Sequence, residues 1–116
     1  MPLVVLQDAR RAESPPVLAT SLADGQACEC IAGDRLIALY RQGDEFFALD
    51  GVCPHAGGPL ADGVVRGGIV TCPWHGWQYH LRTGENCLNP RIKAEPFPVL
   101  IQPDGTLAIQ IDEPAA

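Results

Sequence analysis

The chain reads as an all-β protein: antiparallel small sheets, or a sandwich of them, built from roughly nine or ten short strands. Three observations predict this. The 116 residues include 12 Gly and 11 Pro, a density of turn formers that leaves little room for long helices. Apolar runs of strand length recur along the chain, each bounded by Gly, Asp or Pro. No stretch sustains a helical period beyond a turn or two.

The totals bound the rest. A chain of 116 residues is expected to form one domain, residues 1–116. It is long enough to bury a hydrophobic core without disulfides. Apolar content of 47% is ordinary for a globular protein, and the formal net charge is −6. Such a surface disfavours nucleic acid and anionic membranes. It suits a carrier that meets a basic patch on its partner, and it equally serves plain solubility. The stretch Met1 to Asp8 has no basic start and only four consecutive large apolar residues, too few for a signal peptide. No run approaches the ~18 apolar residues of a membrane span. The expected location is therefore cytoplasmic, where five cysteines are better read as thiols or ligands than as disulfides.

In chain order, Leu3 to Leu6 is an apolar run bounded by polar residues and predicts a first strand. Arg10 to Pro16 is charged and ends in Pro-Pro, a surface loop. Ser21 to Gly25 predicts a turn, at most one helical turn. Gln26 to Ile31 is the next strand, and the i, i+2 spacing puts Cys28 and Cys30 on one face, most simply as small buried hydrophobes. After the turn Gly33-Asp34, Arg35 to Arg41 is apolar throughout its middle, a strand covered on both faces. Gln42-Gly43-Asp44 turns the chain into a return strand, Glu45 to Asp50, which Gly51 breaks.

Ala61-Asp62-Gly63 turns again, and Val64 to Thr71 predicts a hairpin with Gly67-Gly68 at its bend. From Trp77 to Arg82 the pattern alternates. Trp77, Tyr79 and Leu81 share an inward face, while Gln78, His80 and Arg82 face solvent, which removes His80 from the candidate ligands. Cys87 falls in the following loop as a packed or idle thiol. Glu95-Pro96-Phe97-Pro98 has two residues without a ladder donor and belongs at an edge. Val99 to Gln102, Pro103 to Thr106 and Leu107 to Ile111 form a strong hairpin signal, and Asp112 to Ala116 should fray.

The chemistry lies in two loops, Cys53-Pro54-His55 and Cys72-Pro73-Trp74-His75, with sixteen residues between His55 and Cys72. Each presents one thiol and one imidazole. A tetrahedral zinc site of two Cys and two His is compatible with the spacing, although such sites usually draw two Cys from one knuckle and two His from another. A Cys–His catalytic pair at Cys72 and His75 leaves the duplicate at Cys53 and His55 without a purpose. A binuclear iron–sulfur cluster with two Cys on one iron and two His on the other asks for mixed loops, because each loop must reach both irons. Pro54 and Pro73 stiffen the turns. Gly57, Gly58 and Gly76 let the backbone approach closely enough for N–H groups to stabilise negative charge.

The stretches C-P-H-A-G-G-P-L-A-D-G and C-P-W-H-G-W-Q-Y-H-L-R-T-G, within about 51–84, closely resemble the Rieske family, in particular its small soluble ferredoxins. The resemblance implies one Rieske [2Fe-2S] cluster per chain. Cys53 and Cys72 would hold the inner iron, and His55 and His75 the outer iron nearer the surface. Pro73, Gly57, Gly76, Trp77 and Tyr79 would surround them. High-potential members of respiratory complexes carry a disulfide-forming Cys in each loop, where this chain has Gly58 and Trp74. They also place a Ser, hydrogen-bonded to a sulfide, where this chain has Trp77. Tyr79 matches their tyrosine, whose hydroxyl reaches the first Cys sulfur. Losing one donor to sulfur lowers the potential, so the low end of the Rieske range is expected, on the order of −150 mV.

The function implied is one-electron transfer without substrate catalysis: a relay from a flavoprotein reductase to a terminal oxygenase. A small Rieske-like subunit of a nitrite reductase, serving a reductase subunit, is one alternative. A zinc-bound interaction module is another, of a different class.

Overall fold

The computed structural model describes residues 3–54 and 57–111. His55 and the tail Asp112 to Ala116 lie outside these described residues, as do the expectations placed on them. Eleven strands are present: β1 (Leu3–Val5), β2 (Gln7–Asp8), β3 (Ala27–Ala32), β4 (Arg35–Gln42), β5 (Glu45–Asp50), β6 (Val64–Arg66), β7 (Ile69–Thr71), β8 (Gln78–His80), β9 (Pro96–Phe97), β10 (Val99–Ile101) and β11 (Leu107–Gln110). They form three antiparallel sheets, ordered β1-β11-β10, β2-β3-β4-β5-β9 and β6-β7-β8. Helix is limited to two 3-10 turns, Ala19–Ser21 and Leu60–Asp62, among the described residues.

The strand count exceeds the expected nine or ten because β2 separates from β1. Leu3 to Val5 pairs with β11, while Gln7 and Asp8 pair with Ile31 and Cys30 of β3. Leu6 between them is fully buried. The first turn of helix falls at Ala19–Ser21, earlier than Ser21 to Gly25 suggested. Other expectations hold. Gly67-Gly68 bends the β6–β7 hairpin, β10 and β11 form the C-terminal hairpin, and β9 lies at a sheet edge.

β4 is the hub. Ile37, Ala38, Leu39 and Tyr40 are all inaccessible to solvent. Because successive side chains point to opposite faces, this one strand feeds two cores. Ile37 and Leu39 pack with Leu6, Val17, Leu107 and Ile109. Ala38 and Tyr40 pack with Leu49, Leu60, Val70, Tyr79 and Leu81, and with both Cys53 and Cys72. The second core is thus the floor beneath the two loops. The Tyr40 hydroxyl donates to the Leu60 carbonyl at 2.6 Å, tying the hub to the chain that returns from the first loop.

Gly84 ends the β8 segment. It has φ +76°, and a Cβ there would collide with the Ala94 carbonyl oxygen. Gly105 also has positive φ, at +87°, but faces open space. Gly84→Ala should therefore cost at least about 3 kcal/mol, from a left-handed backbone and a clash together. Gly105→Ala should cost about 1 kcal/mol, for the backbone alone. Urea denaturation of both variants checks this, and equal losses would show that the clash relaxes freely.

Candidate metal centre

The two loops share one backbone plan. In the first, Cys53 N–H donates to the Gly58 carbonyl at 2.8 Å; in the second, Cys72 N–H donates to the Trp77 carbonyl at 2.7 Å. Each closure spans five residues from its Cys. In each loop the glycine four residues after the Cys has a left-handed backbone, Gly57 at φ +74° and Gly76 at φ +73°. A side chain at those positions would strain the turn.

The first loop is the tip of a small hairpin continuing from β5. Leu60 N–H bonds Gly51 at 3.1 Å, Val52 bridges Pro59, and Gly57 N–H donates to the Cys53 carbonyl at 2.9 Å. The second loop caps β7 and β8, whose last ladder pair is Thr71 and Gln78. His75 is itself left-handed, φ +70°, directly before Gly76. For a non-glycine residue this is a sparsely populated conformation that concentrates at functional sites.

The two thiols are almost fully buried and their side chains interact. Neither forms a disulfide, and Cys28, Cys30 and Cys87 are also free thiols. Burial pushes the Cys72 thiol up from its ordinary value, and the neighbouring Cys53 adds to this. Two adjacent buried thiolates are tenable only with a cation beside them. Tyr79, on β8, lies 3.3 Å from Cys53 Sγ through its hydroxyl. Burial foremost, and then Cys53, push that hydroxyl up, while the neighbouring Asn86 side chain opposes the shift.

His75, in contrast, is exposed at the loop tip and borders a cavity of about 340 Å³ with Trp77, Asn86, Cys87, Leu88 and Ile92. Among the described residues no three Cys, His, Asp or Glu side chains converge on one point. The structure thus brings Cys53, Cys72 and Tyr79 together and sets His75 on the solvent side. His80 faces outward, as its strand pattern predicts, with Nε2 3.7 Å from Cys87 Sγ. Cys30 is buried in the first core, with Cys28 packed partly against it.

A second contact crosses between the loops. A Cβ built on Gly58 would sit 2.8 Å from Cγ of Trp74. The indole therefore lies on the bare glycine backbone, at the two positions where disulfide-bearing Rieske proteins join their loops covalently. Asn86 was not singled out by sequence reasoning. Asn followed two positions later by Leu and then Asn-Pro reads as a polar loop, and its burial depends on a pairing with Tyr79 that composition does not reveal.

Residues 15–103 match the profile of the Rieske [2Fe-2S] domain. The anthranilate 1,2-dioxygenase ferredoxin subunit of Burkholderia cepacia is 34% identical over 85 residues, covering 70% of this chain and 75% of that protein. Apoptosis-inducing factor 3 of Homo sapiens is 42% identical over 64 residues, covering 55% of this chain; the match spans only 11% of that longer protein. Among solved structures, the Sphingomonas yanoikuyae B1 ferredoxin superposes with a TM-score of 0.73 at 28% identity, covering 96% of this chain and 97% of its own.

Gly58→Ala should destabilise the protein by about 1–3 kcal/mol, because the new methyl overpacks against the Trp74 ring. The double variant Gly58→Ala, Trp74→Ala should recover much of that loss relative to Trp74→Ala alone. Denaturant melts of the four proteins form the cycle. Additive losses would show that the two positions do not share one packing site.

Proposed function

The chain belongs to the Rieske [2Fe-2S] domain family, and from that premise we propose that it is a one-electron carrier whose cluster is held by Cys53, His55, Cys72 and His75. The family carries a Rieske [2Fe-2S] cluster, one per domain, which supplies a single reversible electron site. The observation that carries the reading is the sorting of donors by depth. Two thiols lie side by side in the core, and His75 stands at the exposed tip of a loop with the same backbone plan as the one bearing His55. On this reading Cys53 and Cys72 would take the inner iron. His55 and His75 would take the outer one, with the exposed His75 at the loop tip toward solvent or a partner.

The residues around them have definite tasks. Backbone closures at Gly58 and Trp77 fix each Cys within its loop. The Tyr79 hydroxyl donates to the Cys53 sulfur once that sulfur is a thiolate, favouring the more negative reduced state. Trp77, where a serine donor stands in high-potential relatives, offers its backbone carbonyl to Cys72 instead.

Two relatives matched over 75% and 74% of their own length are the ferredoxin subunits of an anthranilate 1,2-dioxygenase and of a 3-phenylpropionate/cinnamic acid dioxygenase. This supports a relay from a flavoprotein reductase to a terminal oxygenase, with the substrate chemistry carried out by the oxygenase. Trp74 and Leu88, 52% and 97% exposed, flank the tip as apolar contact points. The net charge of −6 suits a basic rim on the partner. Five free thiols support a reducing, cytoplasmic setting, and no helix among the described residues is long and apolar enough to cross a membrane.

The test is a visible spectrum and low-temperature EPR of the purified protein before and after dithionite. A coloured protein with a signal that appears only on reduction is expected. A colourless, EPR-silent protein with stoichiometric zinc would replace the reading with an interaction module. Co-purification then separates an oxygenase system from a nitrite reductase assembly. The reduction potential should lie near the low end of the Rieske range, on the order of −150 mV. A value above roughly +100 mV would refute the tuning argument. Replacing His75 by Cys should lower the potential further in any cluster that survives, since a thiolate adds negative charge where an imidazole adds none.

A further inference from the structure

Among the described residues, Asn86 is the one polar non-aromatic side chain in the buried set, at 5% exposure. It sits directly opposite Tyr79. The flanking bonds, Cys87 N–H to the Gln78 carbonyl and His80 N–H to the Glu85 carbonyl, both 2.9 Å, make Tyr79 and Asn86 a non-hydrogen-bonded antiparallel pair. In such pairs the side chains share a face and approach most closely.

The carboxamide cannot turn. Its Oδ1 accepts from Leu88 N–H at 2.9 Å and from Asn89 N–H at 3.0 Å. With that oxygen engaged twice, the amide nitrogen is the group left to face Tyr79 across the pair. An amide nitrogen only donates. Set against the tyrosine oxygen, it would occupy a lone pair there and leave the O–H hydrogen to point at Cys53 Sγ, 3.3 Å away.

We propose that Asn86 is a positioning residue for the metal centre: by donating to Tyr79 Oη it holds and polarises the hydroxyl so that Tyr79 donates to the Cys53 sulfur. Asn86 is not one of the four candidate ligands. It acts from the third position of a chain Asn86–Tyr79–Cys53, in which each donor strengthens the next. The consequence is a higher reduction potential than the same ligands would have without Asn86, because sulfur accepting a stronger hydrogen bond better tolerates the added electron. The inference rests on the cluster reading above.

The experiment is a redox titration of the whole protein, with EPR verifying cluster content, on Asn86→Ser, Tyr79→Phe and the double variant. A serine hydroxyl can keep an acceptor for the local backbone N–H groups, is neutral, and is too short to reach Tyr79. Asn86→Ser should lower the reduction equilibrium constant about tenfold, about 59 mV for a one-electron couple. On the Tyr79→Phe background the same change should shift it less than threefold.

Asn86→Asp is the second arm, because it keeps the longer side chain while turning the donor into an acceptor. It should lower the constant more in the presence of the Tyr79 hydroxyl than in its absence. Equal shifts with and without that hydroxyl overturn the relay, as does an unshifted potential in a variant whose EPR signal is of normal size. An unaltered protein that gives no reduction-induced signal overturns the cluster reading, and the relay with it.

Discussion

Ile37, Ala38, Leu39 and Tyr40 place four consecutive side chains out of reach of water, and the molecule is arranged around that fact. A strand covered on both faces must have an apolar layer on each side. One layer, through Ile37 and Leu39, joins the hub to β11 and the N-terminal segment. The other, through Ala38 and Tyr40, reaches the sheet β6-β7-β8 and both cysteines. The metal-bearing unit is therefore not an appendage. Its floor is one face of β4, and the Tyr40–Leu60 hydrogen bond fixes where the first loop re-enters the core.

On that floor the site is built by local backbone rules. A Cys N–H closes onto the carbonyl five residues ahead, with a left-handed glycine just before the closing residue. That plan recurs in both loops although their histidines sit at different offsets, two residues after Cys53 and three after Cys72. In the second loop His75 itself lies in the left-handed region, directly before Gly76. That conformation costs about 1–3 kcal/mol for a non-glycine residue.

Much of this was legible from the residues. Unbroken apolarity from Leu36 to Leu39 marked the hub, because only a doubly covered strand tolerates it. Alternation from Trp77 to Arg82 put Tyr79 inward and His80 outward, as observed. The prolines around Phe97 placed β9 at an edge. What was not legible depended on pairing across long separations. Gln7 and Asp8 carry no strand signal of their own, and become β2 only because β3 offers them an edge. Cys53 and Tyr79 are 26 residues apart, and only the likeness to known proteins suggested their meeting. Asn86 had no signal at all. An Asn near Asn-Pro predicts a surface turn, and its side chain does make such a turn with Leu88 and Asn89, but register buries it.

The contact between Gly58 and Trp74 shows how a non-covalent joint can stand where a covalent one is found elsewhere. A disulfide constrains two loops strongly, but it persists only in an oxidising setting. An indole on a glycine backbone needs no oxidant. It needs only that one partner lack a side chain, and the space at Gly58 is already filled by the ring. Trp74 remains 52% exposed, so its outer face is available to a partner while its inner face holds the loops in register. Loop spacing and docking surface are thereby carried by one side chain. Beneath it, the polar contact between Tyr79 and Cys53 is sealed in the core, where a low dielectric strengthens each hydrogen bond in the series. In the proposed carrier the site would separate two tasks by depth: apolar contact and electron exit at the surface, and adjustment of the sulfur environment below.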